Sequence, residues 1–375
     1  MMFSPGRRHF ILTLGSIVLS STRRSARAAA PDDWTTIPPA DAGIAPELGA
    51  RLDAAVRQGE LRNLHGVLVA RGGKLVVERY YIGRDERWGQ PLGMVKFGPD
   101  EKHDLRSISK SVVGLLYGIA LAEGKVPPPD QPLIDQFPAY KDLAADPLRR
   151  RMTIAHALSM TLGTEWNEDL PYTDPRNGEY AMEMAPDRYR FVLDRPFVAA
   201  PGSRWNYNGG ATAVLGHLIA QGVGKPLLEY GREKLFDPLG LRDAEWTAGT
   251  NGEPAAASGL RMRPRDLAKL GQLVLERGRW DDRQLVPADW LDQSFAPHAH
   301  AEEGIDYGYQ WWLGRLSGSG QPWIAGFGNG GQRVIVVPGL HLVVAITAGN
   351  YNQPDQSEIP LAVMRNFVIP ALKDG

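Results

Sequence analysis

The chemistry in this sequence begins at Asp104-Leu105-Arg106-Ser107-Ile108-Ser109-Lys110-Ser111, where a serine stands three residues before a lysine. If a helix opens here, that spacing sets both side chains on one face. A serine hydroxyl becomes a useful nucleophile when a neighbouring base takes its proton. An amine one turn away can do so if burial or another cation lowers its pKa. The helix N-terminus would add backbone N–H donors and partial positive charge where an oxyanion develops. Alone, Ser-x-x-Lys also describes an N-cap serine with a solvated lysine. Two further segments supply what the pair lacks. Pro201-Gly202-Ser203-Arg204-Trp205-Asn206-Tyr207-Asn208-Gly209-Gly210 is a polar loop leading into an apolar helix through Ala213, Leu215, Leu218 and Ile219, and it offers Tyr207 as a second base. Gly326-Phe327-Gly328-Asn329-Gly330-Gly331-Gln332 runs into a strand, and its glycines would let a substrate approach a backbone edge.

These segments need elements to hold them together. Val67 to Ala70, the turn Arg71-Gly72-Gly73-Lys74, and Leu75 to Tyr81 read as a β-hairpin. Arg333 to Val337 and His341 to Thr347, around Pro338-Gly339-Leu340, read as a second one. Ala45 to Gly59 has helical spacing of Leu48, Leu52 and Val56; Ser107 to Gly124 is a buried helix ended by glycine; Glu358 to Leu372 is a closing helix. Between Pro127 and Asp292 the pattern is helical, with Pro and Gly turns and no convincing alternating strand. The expected fold is therefore α+β: one antiparallel sheet built from both chain ends (31–126 and 293–375), flanked by helices, with an inserted mostly helical domain (127–292). A ligand would sit in the cleft between the two lobes.

At the three chemical segments the chain resembles the serine β-lactamase and penicillin-binding-protein superfamily, in its class C-like esterase and amidase branch. Met152-Thr153-Ile154-Ala155-His156-Ala157-Leu158-Ser159-Met160-Thr161-Leu162-Gly163 and Tyr307-Gly308-Tyr309-Gln310-Trp311-Trp312-Leu313-Gly314 extend the likeness to 6-aminohexanoate-dimer hydrolases and related serine hydrolases. The resemblance implies a β-lactamase/transpeptidase-like fold with Ser107 as the acylated nucleophile. Lys110 and Tyr207 would share the proton transfers, either of them being the resting base. It implies an oxyanion hole from the backbone N–H groups of Ser107 and Asn329, and substrate contacts around Trp205, Asn208 and Gly328. Two departures stand out. The tyrosine motif of class C β-lactamases is Tyr-x-Asn, whereas Tyr207-Asn208-Gly209 has glycine third. Their Lys-Thr-Gly is replaced by Gly326-Phe327-Gly328, which lacks the cation that holds a substrate carboxylate. Arg333 could replace that cation, although a strand arginine is expected to face solvent. β-Lactam and D-alanyl-D-alanine recognition are accordingly disfavoured. A β-lactamase or D-amino-acid peptidase remains the enzymatic alternative. A non-catalytic protein binding peptidoglycan or a partner is the other, and the intact Ser107, Lys110 and Tyr207 set speaks against it.

Composition narrows the rest. The 375 residues are 43% hydrophobic and 23% charged, with 42 Lys plus Arg against 43 Asp plus Glu, so no basic field exists to hold nucleic acid. The absence of cysteine removes disulfides, thiolate metal sites and cysteine nucleophiles. Residues 1–30 hold five arginines and no acid; Arg7-Arg8, the apolar run Phe10 to Leu19 and the alanines 28–30 read as an export signal of the twin-arginine type. The expectation is a periplasmic or extracellular protein without a stable membrane anchor once the signal is removed. No cofactor and no metal are expected. His298 and His300, with Glu302 and Glu303, read as a solvated acidic loop; His156 reads as a partly buried structural histidine. Glu165 and Glu168 read as structural, and Trp166, Tyr172, Trp311 and Trp312 as packing residues that could line an acyl pocket. There is no Gly-x-Ser-x-Gly elbow of an α/β-hydrolase. A small ester or amide is the expected substrate.

Overall fold

In the computed structural model, residues 34–373 are described; the export signal expected over residues 1–30 lies outside them. The described strands are β1 (Leu64–Arg71), β2 (Lys74–Tyr80), β3 (Ile82–Arg87), β4 (Gln90–Lys96), β5 (His103–Asp104), β6 (Glu245–Trp246), β7 (Leu260–Met262), β8 (Arg279–Trp280), β9 (Arg283–Gln284), β10 (Ala299–Glu302), β11 (Ile305–Tyr307), β12 (Trp312–Arg315), β13 (Pro322–Gly328), β14 (Gln332–Val337) and β15 (Leu342–Ala348).

Eight of them form one antiparallel sheet in the order β10-β11-β12-β13-β14-β15-β1-β2. The two chain ends meet where β1 pairs with β15, with Val67 opposite Ile346 and Val69 opposite Val344. Both expected hairpins are in this sheet. Gly72 and Gly73, which join β1 to β2, have φ of 57° and 77°, a pair of left-handed positions that suits a tight two-residue turn.

The central strands are apolar on both sides because both faces are covered. Val67, Val69, Ile335, Val337, Val344 and Ile346 pack with Leu48 and Leu52 of the helix Leu48–Arg57 and with Val363 and Phe367 near the C-terminus. The alternate residues Leu68, Ala70, Val334, Val336, Val343 and Ala345 join a second cluster with Val112 and Leu116 of the helix Ile108–Ala122 and Leu270 of the helix Pro264–Leu275. The period of two thus assigns each strand residue to one of two cores.

Several elements differ from the sequence reading. The block 127–292 contains β6, β7, β8 and β9, and β7 pairs with β5, which lies before that block. Strands of two or three residues are too short to show a period. The hairpin β3–β4 is largely exposed and mixes polar with apolar residues, and so gave no apolar alternation. His300 lies in the edge strand β10 rather than in a loop, facing Asp306 across the ladder to β11. No described helix is long and apolar enough to cross a membrane.

Candidate active site

Ser107 is the N-cap of the helix Ile108–Ala122, placed there by Arg106, whose φ of 51° turns the chain sharply just before it. A non-glycine residue in that region is held by its surroundings. Here the Arg106 guanidinium donates to Glu86 Oε1, lies 3.4 Å from Asp104 Oδ2 and covers the Tyr351 ring at 4.7 Å. On the other side of the serine, Gly328 ends β13 against the Leu105 carbonyl. A Cβ added to Gly328 would come within 2.3 Å of that oxygen, so only glycine allows this strand to lie so close to the nucleophile's segment.

Lys110 sits one turn into the helix, buried, and its ammonium donates to Ser107 Oγ at 3.0 Å and to the Ala257 carbonyl at 3.1 Å. Its third contact is Glu179 Oε2 at 3.5 Å, and it lies 4.9 Å from the centre of the Tyr207 ring. The Tyr207 hydroxyl faces both Ser107 and Lys110. Burial pulls the lysine down, but Tyr207, Glu179 and Glu168 outweigh it and hold the ammonium above its usual pKa. The lowered lysine that a resting Lys110 base requires is therefore not what this environment produces. Burial raises the Tyr207 hydroxyl, against the opposing pull of Lys110.

Two carboxylates complete the cluster. Glu179, in the helix Gly178–Met184, accepts from Ser258 Oγ as well as from Lys110. Glu168 accepts from Trp166 Nε1 at 2.6 Å, from the Tyr172 hydroxyl at 2.9 Å and from the Gly209 backbone N–H. Burial and the nearby Glu179 raise its carboxyl, while Lys110 opposes them. Glu168 is thus part of the charged cluster around Lys110. Glu165, by contrast, forms an ion pair with Arg195. Glu179 and Ser258 were missed in the sequence, since neither belongs to a recognisable motif.

A cleft of about 500 Å³ opens over this floor, a size suited to small molecules. Ser107, Tyr172, Glu179, Ser258, Asn329 and Asn352 are among its lining residues. Asn329 follows Gly328, and its side-chain oxygen accepts from Asn352 N–H at 3.1 Å. The Ser107 and Asn329 sides of the expected oxyanion hole therefore border one space.

The three expected substrate contacts are placed differently. Asn208 is buried and caps the helix Gly209–Val223, its Oδ1 accepting from Ala211 N–H at 3.0 Å. Asn before Gly-Gly and an apolar helix is an N-cap signal that the sequence reading passed over. Trp205 packs tilted against Tyr207 and Tyr307 and edge-on to Trp312, so it braces the tyrosine ring. Gly328 serves the close packing already described. Of the other aromatics, Tyr172 borders the cleft, Trp166 anchors Glu168, Trp311 packs on Phe295 and Trp312 on Phe327. His156 accepts from the Thr153 backbone N–H in a helix cap. His298 stacks on Tyr309.

Arg333 corrects the expectation that it faces solvent. It is 7% exposed, donates to the carbonyls of Gln332 at 2.8 Å and Gly328 at 3.3 Å and to Ser357 Oγ at 2.9 Å, and lies 4.4 Å over the Phe327 ring. Burial holds its guanidinium down to about 10. The Gly328 and Gln332 carbonyls beside the half-buried Phe327 ring give the guanidinium better partners than a bare strand suggests.

Residues 52–363 match the Beta-lactamase family. The chain belongs to that family. Within it, the chain is 26% identical over 315 residues to 6-aminohexanoate-dimer hydrolase of Paenarthrobacter ureafaciens, covering 77% of this chain and 73% of that protein. It is 28% identical over 214 residues to esterase EstB of Burkholderia gladioli, covering 54% and 51%. The solved structure of EstCE1, titled a hydrolase with promiscuous acyltransferase activity, superposes with a TM-score of 0.67 at 18% identity over 84% of this chain and 98% of that one. The structural likeness shows the fold, and the family and the named relatives make this Beta-lactamase family member a hydrolase.

Proposed function

We propose that this protein is an exported serine hydrolase that cleaves small esters or amides through an acyl-enzyme on Ser107. The observation that carries the reading is the 3.0 Å contact between Lys110 Nζ and Ser107 Oγ at the floor of a cleft that Asn329 also borders. Ser107 Oγ attacks the substrate carbonyl and its proton passes into the Lys110–Tyr207 pair. The backbone N–H groups of Ser107 and Asn329 hold the oxyanion. The pair returns the proton to the leaving alcohol or amine, and water activated at Tyr207 then releases the acid. With Lys110 held as an ammonium chiefly by Tyr207 and Glu179, the acceptor is Tyr207 in its ionised form, which the lysine charge favours against the burial that raises the hydroxyl.

Esters and simple amides fit better than β-lactams. Gly326-Phe327-Gly328 brings no cation to the cleft, the Arg106 guanidinium at its wall is engaged by Glu86 and Asp104, and Arg333 is buried on its own hairpin. The names of the relatives, a dimer hydrolase and an esterase, point the same way. Export is supported by the Arg7-Arg8 pair, the apolar run and the alanines before Pro31.

Intact-mass spectrometry after brief exposure to p-nitrophenyl butyrate, beside Ser107→Ala and a parallel β-lactam incubation, tests the chemistry. The expected result is an acyl adduct or ester turnover in the wild type and neither in the variant. Turnover that persists in Ser107→Ala would overturn the nucleophile, and faster β-lactam than ester hydrolysis would overturn the substrate class. Peptide sequencing of the secreted protein tests export, with a new N-terminus near Ala30 expected.

A further inference from the structure

Behind the hairpin that borders the cleft lies a second buried cluster, which the reaction does not use. His65 of β1, Asp85 of β3 and His103 of β5 are 0%, 6% and 0% exposed. One donor atom from each lies within 4.8 Å of the others. We propose that these three side chains form a structural zinc site, with His65 Nδ1, His103 Nε2 and an Asp85 carboxylate oxygen as the protein ligands.

The cluster is short of hydrogen-bond donors. His65 Nε2 lies 3.2 Å from Asn63 Oδ1. The orientation of the Asn63 amide is fixed, because its Nδ2 donates to the Arg84 carbonyl at 3.0 Å and its Oδ1 accepts from Arg84 N–H at 2.8 Å. The His65 Nε2 atom therefore faces an acceptor and must bear the proton. His103 Nδ1 likewise lies 3.0 Å from the Asp104 carbonyl and must donate there. With both protons so placed, His65 Nδ1 and His103 Nε2 confront each other at 2.8 Å with lone pairs only. Two facing lone pairs are not a hydrogen bond; a cation belongs between them.

Asp85 chooses the kind of cation. Its Oδ1 accepts from the Tyr351 hydroxyl at 2.9 Å and lies 3.6 Å from His103 Nε2, while its Oδ2 is buried without any hydrogen-bond partner. One extra proton would join the two imidazoles and leave that oxygen bare. A metal ion accepts both nitrogens and the carboxylate together. Two imidazoles and a carboxylate fill three positions of a tetrahedral zinc and leave the fourth for a water; bonds of about 2.0–2.1 Å put ligand atoms about 3.3 Å apart, against 2.8 Å between the two nitrogens and 3.6 Å from His103 Nε2 to Asp85 Oδ1 here. The second contacts are those that metal-bound histidines usually make, a carbonyl for one ring and an amide oxygen for the other. Phe97 stacks on His65 at 4.2 Å between ring centres, and the glycines at 83 and 349 leave the space that the ring occupies. The site joins β1, β3 and β5, and β5 leads through Leu105 and Arg106 into Ser107. It is sealed, so the role is to pin the nucleophile's segment.

The test uses the full chain without a purification tag. Metal analysis after purification, and after chelator treatment followed by excess zinc and desalting, should give one zinc per chain. Cobalt in its place should give the visible bands of a tetrahedral ion. Zinc should raise the unfolding temperature of the chelated protein by about 5 °C at saturating concentration. Asp85→Asn should weaken zinc binding by at least about 100-fold, whereas His298→Asn with His300→Asn should bind as the wild type does. Zinc well below one equivalent in the refilled wild type would overturn the proposal in favour of a shared proton. So would binding lost with the two surface histidines, or kept unchanged in Asp85→Asn. If Asp85→Asn does not fold, the wild-type zinc and cobalt measurements decide alone.

Discussion

Two buried polar clusters flank the segment that carries Ser107, and they are built to different ends. The first, Lys110 with Tyr207, Glu168 and Glu179, reaches the cleft through Glu179 and contains its own cation, so its charges offset one another. The second, His65 with Asp85 and His103, is closed by Phe97 and Tyr351 and has acceptors facing acceptors. A cluster that holds its own counter-charge and meets solvent can lose and regain a proton during a reaction. A sealed cluster with a deficit of donors calls for an ion and serves to hold shape. The largest expected effects come from breaking the first cluster at its centre. Ser107→Ala should reduce ester turnover by more than about 10⁴-fold. Lys110→Met and Tyr207→Phe should each lower kcat by about 10²–10⁴-fold, with little change in the zinc content of the chain.

The next change sharpens the contrast instead of abolishing activity. Glu179→Gln removes a carboxylate that stabilises the Lys110 ammonium, so the lysine pKa should fall. The pH at which activity changes with ionisation of the Lys110–Tyr207 pair should move down by about one unit or more. The opposite cluster should leave that profile where it is: Asp85→Asn is expected to lower the unfolding temperature and kcat without moving the pH dependence. A pH profile that shifts in both variants would mean that the two clusters are one electrostatic unit, contrary to the division drawn above.

Arg333 tests the strand that lies between the nucleophile and its oxyanion partner. It donates to the Gly328 carbonyl, and that carbonyl shares a peptide group with the Asn329 N–H, so the arginine both aims the donor and polarises it. Arg333→Lys keeps the charge and loses the fork. Because the effect on the oxyanion is indirect, kcat should drop by about 10-fold, less than removal of a donor outright, with KM nearly unchanged. The infrared carbonyl band of the acyl-enzyme should move to higher frequency. A KM effect alone would assign Arg333 to packing.

How much of this was legible in the sequence depends on distance along the chain. Ser107 and Lys110 are three residues apart, and the hairpins around Gly72-Gly73 and Pro338-Gly339 are local, so helix and strand periods expose them. The unbroken apolar runs Val334 to Val337 and Val343 to Ile346 report strands covered on both faces directly. Glu179 is far from Ser107 in sequence and enters the site only through the packing of its short helix, for which no spacing rule exists. The same holds for His65, Asp85 and His103, brought together by strands whose pairing a linear pattern does not state. Asn208 and Arg333 were misplaced for another reason: their residue types suit cleft and surface, and only the count of backbone donors and acceptors around them assigns one to a helix cap and the other to the carbonyl that ends β13.

The smallest expected effect concerns Glu183, at the cleft wall, where the open cluster meets solvent. Burial raises its carboxyl to about 7 against an ordinary 4.5, with Arg188 pulling down and Glu179 pushing up. Between those values the folded protein binds a proton that the unfolded chain does not. Stability from this group is therefore complete below about pH 4.5 and is lost as pH rises through 7, a change of roughly 1–3 kcal/mol. Glu183→Gln is neutral throughout, so the wild type and variant should unfold at similar temperatures near pH 5, and the variant should gain a few degrees on the wild type by pH 8. Equal unfolding temperatures across that range would mean that the Arg188 ion pair keeps Glu183 ionised in the folded state. The open cluster would then carry one more fixed charge, and Glu168 would be its one carboxyl that burial raises.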